Sequence, residues 1–176
     1  WFINKLAGEL DWDFLQQVFP PIGEGLWRMH QEGVVHLDVK PANVLLRTSG
    51  QPLLLDFGAA QTMDNDNRFG SFQTLTHGFA PPEQYLDGNL GPWTDIYGLA
   101  ATIYNCITGH SPPPALKRRD GASLEKLTVS RSGAYPYTLL KVVEDALSLD
   151  QGQRPHDMHA FLSLAFGASS HTPVKT

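Results

Sequence analysis

The sequence predicts a mainly α-helical domain that carries one short β-hairpin in its first half. Four stretches repeat apolar residues at helical spacing, whereas only two short apolar runs, separated by turn formers, have the pattern of strands. A chain of 176 residues suits a single domain, because this length buries roughly 70% of its unfolded surface. We therefore expect one core, built mostly from helices.

The first predicted element is a kinked helix over residues 12–32. Asp11 precedes it and can cap it, because a carboxylate accepts the unpaired N–H groups of a first turn. Apolar residues then recur every three or four positions. Pro20 and Pro21 fall inside this pattern and remove backbone hydrogen bonds, so we expect a kink there. Gly33 ends the helix.

A β-hairpin is predicted next, from the short strands 44–46 and 53–55. Residues 48–52 between them are turn formers, which favours a tight connection. Residues 59–78 follow, with many Gly, Asn, Asp, Ser and Thr and little periodicity. A loop of this length in a compact domain is more often functional than accidental.

Three further helices are predicted in the second half of the chain, at residues 95–108, 136–148 and 156–166. Pro155 suits the start of the last one. Residues 167–176 carry small and polar side chains without an apolar face, so we expect a flexible tail or the start of a linker. The predicted domain is therefore residues 1–166.

Composition and charge limit the partners that this domain can have. The formal charge of -5 gives no basic field for a phosphate backbone, which argues against nucleic acid as a partner. No apolar run approaches the roughly 20 residues of a membrane-spanning helix, so we expect no membrane contact and a cytoplasmic location. Cys106 is the only cysteine, which excludes an internal disulfide and a cysteine-based zinc site.

Two short motifs flank the predicted hairpin. Residues 36–43 read His-Leu-Asp-Val-Lys-Pro-Ala-Asn before its first strand, and residues 56–58 read Asp-Phe-Gly after its second. They resemble the catalytic loop and the magnesium-binding triplet of protein kinases, in the order that this family has. The sequence of segments such as residues 80–85 most resembles the sequences of bacterial, Hanks-type serine/threonine kinases. The resemblance covers about residues 5–166 and implies a kinase-like C-terminal lobe, a helical bundle whose hairpin carries both loops.

The resemblance implies a role for each polar residue of the two motifs. Asp38 would accept or orient the proton of a substrate hydroxyl, and Lys40 would stabilise charge on the transferred phosphoryl group. Asn43 and Asp56 would bind Mg²⁺, because a hard cation that already holds phosphate suits an amide beside a carboxylate. ATP and Mg²⁺ are therefore the expected cofactors. The alternative is structural: Asp38 and Asn43 cap a turn, and Lys40 is solvated.

The resemblance also implies supporting residues around this site. Leu45 would lie under the adenine ring, and His36, Phe57 and Gly58 would have structural roles. Leu45, His36 and Phe57 are also compatible with simple core positions. Asp95 resembles the aspartate at a helix start that accepts backbone hydrogen bonds from the catalytic loop; taken alone, it indicates only a helix cap.

The segment that ends in Pro-Pro-Glu resembles the end of a kinase activation segment, which includes Gly78 and Phe79. Thr76 lies seven residues before Glu83, where serine/threonine kinases carry a threonine that bridges the catalytic aspartate and lysine. The alternative is an exposed loop threonine. Glu83 would pair with Arg154 in an architectural ion pair, and the alternative is two unrelated surface charges.

Two departures from the family pattern change what we expect. Leu37 stands where the family commonly has an arginine that holds a phosphorylated activation loop, so activation-loop phosphorylation should matter less here. The chain also lacks the Gly-x-Gly-x-x-Gly loop, strand lysine and helix glutamate of an N-terminal kinase lobe. We therefore expect that lobe in a longer parent chain, and poor ATP binding and negligible turnover from these residues alone.

The sequence thus predicts a serine/threonine protein kinase that transfers the γ-phosphate of ATP to hydroxyls of protein substrates. A second interpretation is a catalytically silent, kinase-like binding module; the intact acidic and basic residues of both motifs argue against it. A third is a kinase-like enzyme acting on a small molecule, which the Pro-Pro-Glu segment and Thr76 disfavour.

Overall fold

The structure is a computed structural model, and it describes residues 3, 10–63, 75–86 and 88–167. Within these residues the α-helices are α1 (Trp12–Gln31), α2 (Pro82–Tyr85), α3 (Pro92–Thr108), α4 (Ala115–Arg119), α5 (Leu127–Ser130), α6 (Tyr137–Ala146) and α7 (Met158–Phe166). The strands are β1 (Val34–Val35), β2 (Val44–Leu46), β3 (Pro52–Leu54) and β4 (Gln61–Thr62). The mainly helical class predicted from the sequence is therefore confirmed.

Helix α1 begins where the sequence predicted and ends at Gln31, one residue before the expected bound. Oδ1 of Asp11 accepts the N–H of Phe14 at 2.9 Å, which caps its first turn. Pro20 and Pro21 lie inside the helix, which continues through both. Its buried face consists of Leu15, Val18, Phe19, Ile22, Gly23, Leu26 and His30. This face brings α1 against the core and directs His30 inward.

The predicted hairpin is formed by β2 and β3, with Leu45 opposite Leu53. Its second strand begins at Pro52 rather than at residue 53, because Pro52 already pairs with Leu46. A second antiparallel sheet joins β1 to β4 and was not predicted. Strands of two residues show no alternation that sequence analysis can detect. The predicted loop 59–78 thus contains β4, and residues 64–74 of it lie outside the described residues.

Helix α3 is buried along most of its length and packs against α1, α6 and α7. It starts at Pro92, three residues before the predicted position, and the N–H of Gly91 donates to Oγ1 of Thr94 at its first turn. Cys106 on α3 is fully buried, and this burial raises the pKa of its thiol to about 12. The central helix therefore provides a rigid support for the loops that pack on its first turn.

The last two helices complete the core. Helix α6 lies within the predicted range 136–148. The prediction that Pro155 starts the final helix was wrong: α7 begins at Met158, because Oδ1 of Asp157 accepts the N–H of Ala160 at 2.7 Å and caps it there. The rings of Trp12 and Phe166 stack at 5.7 Å and hold α7 against α1.

The ends of the chain are only partly described. The predicted tail 167–176 lies outside the described residues except for Gly167. Near the other end, the hydroxyl of Tyr135 donates to the carbonyl of Leu10 at 2.6 Å, which ties residues 125 positions apart. Among the described helices, none has the length and apolar character needed to cross a bilayer.

Candidate active site

Asp95 holds the start of the loop 36–43. It lies in the first turn of α3 and is 1% exposed. Its Oδ2 accepts the N–H of His36 and its Oδ1 accepts the N–H of Leu37, both at 2.8 Å. Nε2 of His30 on α1 also lies 2.8 Å from Oδ2. The start of the loop, just before Asp38, is therefore fixed relative to both α1 and α3.

Three side chains converge on the carboxylate of Asp38. Nζ of Lys40 lies 2.7 Å from Oδ2, and Nδ2 of Asn43 donates to the same oxygen at 3.0 Å. The hydroxyl of Thr76 donates to Oδ1 at 3.2 Å and accepts from Nζ of Lys40 at 2.9 Å. The side chains of Asp38 and Lys40 are each 21% exposed. Asp38, Lys40 and Thr76 thus form a polar cluster that a ligand can reach.

A tight turn holds Thr76 in this cluster. The N–H groups of Phe79 and Ala80 both donate to the carbonyl of Thr76, at 3.0 and 3.2 Å. Gly78 adopts a φ of 90°, and a Cβ at this position would lie 2.7 Å from the carbonyl oxygen of Pro112. Both observations require glycine. The expected activation-segment residues therefore place a hydroxyl beside Asp38.

Asn43 and Asp56 offer oxygen ligands that fit Mg²⁺. Nδ2 of Asn43 donates to the carbonyl and to the carboxylate of Asp38, so its amide oxygen is the group left to act as a ligand. Asp56 is exposed, and its Oδ1 accepts the N–H of Gly58 at 3.2 Å. Mg²⁺ is commonly bound by one or two such side chains while nucleotide phosphates and water complete its coordination. Among the described residues no cluster of three or more His, Cys, Asp and Glu side chains would hold a metal ion.

A cleft of about 360 Å³ brings the two motifs together. Asp38, Lys40, Asp56, Thr76 and Phe79 are among the residues that line it. Its volume is at the lower end of the range for small-molecule sites. Leu45 and Asn43 are not among the lining residues. Leu45 is partly buried on β2, and Asn43 donates a hydrogen bond to Asp38, which does line the cleft. The expected adenine contact of Leu45 is therefore not part of this cleft.

His36 of the first motif and Phe57 of the second form a ring contact. Their ring centroids are 5.1 Å apart with an interplanar angle of 60°. His36 is fully buried, and its Nδ1 accepts the N–H of Asp38 at 3.3 Å. Burial lowers the pKa of His36, against the opposing field of Asp95. Phe57 is 56% exposed, so it is not a core residue.

Glu83 and Arg154 form a buried ion pair. Nη1 of Arg154 donates to Oε1 of Glu83 at 2.6 Å, and Nη2 donates to Oε2 at 3.1 Å. The guanidinium also donates to the carbonyls of Trp93 and Ser148 and lies 5.0 Å from the ring centre of Tyr97. This bidentate pair fixes the start of α2 to the turn before α7.

Backbone strain coincides with the two motifs. Among the described residues other than glycine, only Leu37 and Asp56 have positive φ, at 66° and 65°. Such a conformation costs roughly 1–3 kcal/mol for a residue with a side chain, and it persists only where the surroundings impose it. The strained residues precede Asp38 and lead into Phe57-Gly58. Backbone strain therefore lowers the stability of the fold at the two positions that orient the carboxylates of Asp38 and Asp56.

The comparison with protein families agrees with this geometry. The family described as the protein kinase domain matches residues 5–163. The chain belongs to the protein kinase family. Its mainly helical structure is a protein kinase-like fold.

Curated relatives of this kinase domain include two proteins of Mycobacterium tuberculosis. The chain is 36% identical over 96 residues to serine/threonine-protein kinase PknL, covering 54% of this chain and 24% of the relative. It is 31% identical over 163 residues to serine/threonine-protein kinase PknK, covering 84% of this chain and 14% of the relative. The chain therefore spans a quarter or less of the length of these relatives, and its resemblance to bacterial Hanks-type kinases is supported.

Two solved structures share the fold of this kinase domain. The structure titled PpkA-294 apo form superposes with a TM-score of 0.76 at 31% identity, covering 93% of this chain and 56% of that one. The kinase PK-1 of the Cydia pomonella granulovirus superposes with a TM-score of 0.72 at 17% identity, covering 90% and 60%. The second likeness shows the fold alone.

Sequence reasoning missed three residues that hold the loop 36–43 in place, either directly or through Asp95. His30 binds Asp95, 65 positions away. Nε2 of Gln84 donates to the carbonyl of Leu37 at 2.8 Å. At Gly98, a Cβ would lie 3.0 Å from the side chain and the carbonyl oxygen of Val39. No local pattern predicts these contacts, although the glycine within an apolar helix was a signal of close packing.

Proposed function

We propose that residues 1–166 are the C-terminal lobe of a serine/threonine protein kinase that transfers the γ-phosphate of ATP to hydroxyls of protein substrates. The observation that carries this proposal is the cluster in which Thr76 contacts both Asp38, at 3.2 Å, and Lys40, at 2.9 Å. In-line phosphoryl transfer needs a residue that accepts or orients the proton of the attacking hydroxyl, and positive charge that stabilises the transferred phosphoryl group.

Asp38 is the base in this proposal. Its carboxylate would accept the proton of the attacking hydroxyl, and the contacts from Asn43 and Lys40 hold it in one orientation. General base catalysis of this kind contributes about 10²- to 10⁴-fold to a rate. The backbone N–H of Asp38 also donates a hydrogen bond to Nδ1 of His36. The position of Asp38 would therefore change little during the reaction.

Lys40 is the group that would stabilise the transferred phosphoryl. Its Nζ lies within reach of the same cleft, and its ammonium charge complements the charge that spreads over the equatorial oxygens. Mg²⁺ held by Asn43 and Asp56 would supply further neutralisation of the nucleotide phosphates when bound. Asp56 and Asn43 thus bind the metal, whereas Asp38 and Lys40 act on the reacting atoms.

Thr76 supports Ser and Thr hydroxyls of proteins as acceptors. Its hydroxyl bridges Asp38 and Lys40, which is the arrangement that the resemblance to serine/threonine kinases implies. Leu37 cannot bind a phosphate, because it lacks the charged donors that such a contact needs. We therefore propose that the site is competent without activation-loop phosphorylation.

The nucleotide contacts of an N-terminal lobe would come from a longer parent chain. Phe57 is exposed, and the hairpin residues Leu45 and Leu53 are partly exposed, so these apolar side chains are available for contact with such a lobe. In this proposal residues 1–166 alone bind ATP poorly and turn over at a negligible rate. The cytoplasmic location stays a prediction.

The test is phosphate transfer from ATP to a general protein substrate by the full-length gene product that contains these residues. We expect Mg²⁺-dependent transfer, a decrease of about 10²- to 10⁴-fold for Asp38→Asn, and loss of Mg²⁺-dependent nucleotide binding for Asp56→Ala. Asp120→Asn is the matched control, because Asp120 is an exposed aspartate outside the cleft, and it should leave the rate unchanged.

Two results would contradict the proposal. An unmodified protein without transfer activity and without Mg²⁺-dependent nucleotide binding would favour the catalytically silent binding module. Transfer to a small molecule such as an aminoglycoside, but to no protein, would favour the small-molecule kinase. Phosphoamino acid analysis of the product separates Ser and Thr from Tyr as acceptors.

A further inference from the structure

Gln84 is a polar side chain in the cleft to which the proposed function gives no role. It lies on α2, one residue after Glu83, and is among the residues that line the cleft. Its Nε2 donates to the carbonyl oxygen of Leu37 at 2.8 Å, across 47 positions of sequence. The acceptor is therefore the carbonyl of the peptide that enters Asp38.

Leu37 needs external contacts to keep its conformation. Its φ of 66° is one that a branched side chain rarely adopts. Its N–H donates to Oδ1 of Asp95 at 2.8 Å, and its carbonyl accepts from Gln84 at the same distance. Two side chains from two other elements thus hold the two backbone polar groups of the strained residue.

The same contact fixes the plane of the peptide between Leu37 and Asp38. The carbonyl of this peptide accepts from Gln84, and its N–H, which belongs to Asp38, donates to Nδ1 of His36 at 3.3 Å. Rotation of this peptide would change the direction in which the Asp38 side chain leaves the backbone. The amide of Gln84 therefore restrains the orientation of Asp38 without touching it.

Helix α2 is itself fixed in place, so Gln84 acts from a rigid base. The neighbouring Glu83 receives two hydrogen bonds from the buried guanidinium of Arg154. Glu83 also accepts from the hydroxyl of Thr94 at 3.3 Å. The hydrogen bond from Gln84 thereby links the fixed helix α2 to the loop that carries Asp38.

We propose that Gln84 is a positioning residue, which sets Asp38 for phosphoryl transfer through the carbonyl of Leu37. The inference rests on the proposed function of Asp38 as the base. It also gives the end of the activation segment a neutral, phosphate-independent link to the catalytic loop, at the position where Leu37 replaces a phosphate-binding arginine. The link depends on an N–H donor and not on the volume of the side chain.

The experiment compares Gln84→Met, Gln84→Glu and Gln84→Lys in the full-length gene product. Met and Glu preserve the approximate length but cannot donate at neutral pH, whereas Lys restores a donor. We expect Gln84→Met and Gln84→Glu to lower kcat about 10- to 100-fold, because misplacement by about 1 Å has effects of this size. KM for ATP should be unchanged, and Gln84→Lys should retain more kcat than Gln84→Met. Gln16→Met, at an exposed position of α1, should match the unmodified protein.

Hydrogen exchange provides a readout that does not require activity. We expect Gln84→Met to increase exchange in the peptide that contains the amides of Leu37 and Asp38, while exchange in α6 stays unchanged. Unaltered exchange in that peptide would overturn the proposal, whatever the activity. Increased exchange with unaltered kcat would also overturn it, as would equal kcat values for Gln84→Met and Gln84→Lys. Increased exchange in a protein that shows no transfer at all would support the restraint by Gln84 and would refute the kinase activity instead.

Discussion

At the scale of a single residue, the side chain of His36 makes the stability of this domain depend on pH. Its imidazole is fully buried next to Phe57 and accepts the N–H of Asp38. Desolvation lowers its pKa from the ordinary value of 6.5, although Asp95, the Leu55 backbone, Asp38 and Asp56 oppose this effect. The neutral imidazole is therefore the form that the folded state prefers.

The lowered pKa predicts an acid-sensitive contribution to stability. Above pH 6.5 His36 is neutral in both states, whereas below it the unfolded chain binds a proton that the folded state resists, so stability is lost as the pH falls. We expect the free energy of unfolding to decrease more steeply between pH 7 and pH 5 in the unmodified protein than in His36→Gln. Chemical denaturation at a series of pH values measures this, and equal slopes would contradict the prediction.

Close packing between α3 and the loop 36–43 is the feature that matters at the scale of elements. Gly98 faces Val39, which lies between Asp38 and Lys40, and a Cβ at Gly98 would lie 3.0 Å from both the Cβ and the carbonyl oxygen of Val39. The loop cannot retreat easily, because Asp95 holds its start to the same helix. The absence of a side chain at Gly98 thus sets the distance between helix and loop.

Gly98→Ala should therefore destabilise the domain although alanine favours a helix. Overpacking of a dense interior costs about 1–3 kcal/mol, against a helix-propensity gain of about 1 kcal/mol. Gly25→Ala is the matched control, because Gly25 also lies within a helix. Apart from its chain neighbours and the backbone of its own helix, no described atom lies within 4 Å of the new Cβ. We expect thermal unfolding to show a lower Tm for Gly98→Ala and a higher Tm for Gly25→Ala. An increase in both would show that the loop yields to the new methyl group.

At the scale of the whole molecule, one buried ion pair joins parts of the chain that are far apart in sequence. Glu83 and Arg154 are 71 positions apart and join α2 to the turn before α7. The side chain of Arg154 is fully buried, so its charge depends on this partner and on the carbonyls of Trp93 and Ser148. Removal of one partner leaves a buried charge without compensation.

Glu83→Gln should accordingly lower the free energy of unfolding by about 3–5 kcal/mol. The double variant Glu83→Gln with Arg154→Met should lose less than the sum of the two single changes, because the unpaired charge is then removed as well. Urea denaturation of the four proteins completes the cycle. Strictly additive losses would indicate that the two side chains do not depend on each other.

Spacing along the sequence predicted only local features, whereas long-range pairs such as Glu83 with Arg154 were expected only from the family resemblance. The motif around Asp38 was recognisable because its residues lie within eight positions, and α1 was recognisable because apolar periodicity and the Asp11 cap are local signals. The pairing of β1 with β4 was missed, since two residues carry no alternation. The cap of Asp157 decided the start of α7 against Pro155, because a carboxylate that accepts a first-turn N–H outweighs a proline preference. Contacts such as His30 with Asp95 arise only from the tertiary packing of α1 on α3.

The burial of Cys106 gives the molecule a practical property. The thiolate is the form that reacts with alkylating reagents, and a thiol with a pKa of about 12 inside α3 supplies almost none of it at neutral pH. This chain contains no other cysteine. A cysteine introduced at an exposed site such as Val129, which is 73% exposed, would therefore be the position that a maleimide dye labels. A single spectroscopic probe can thus be attached to this domain without first replacing its native cysteine.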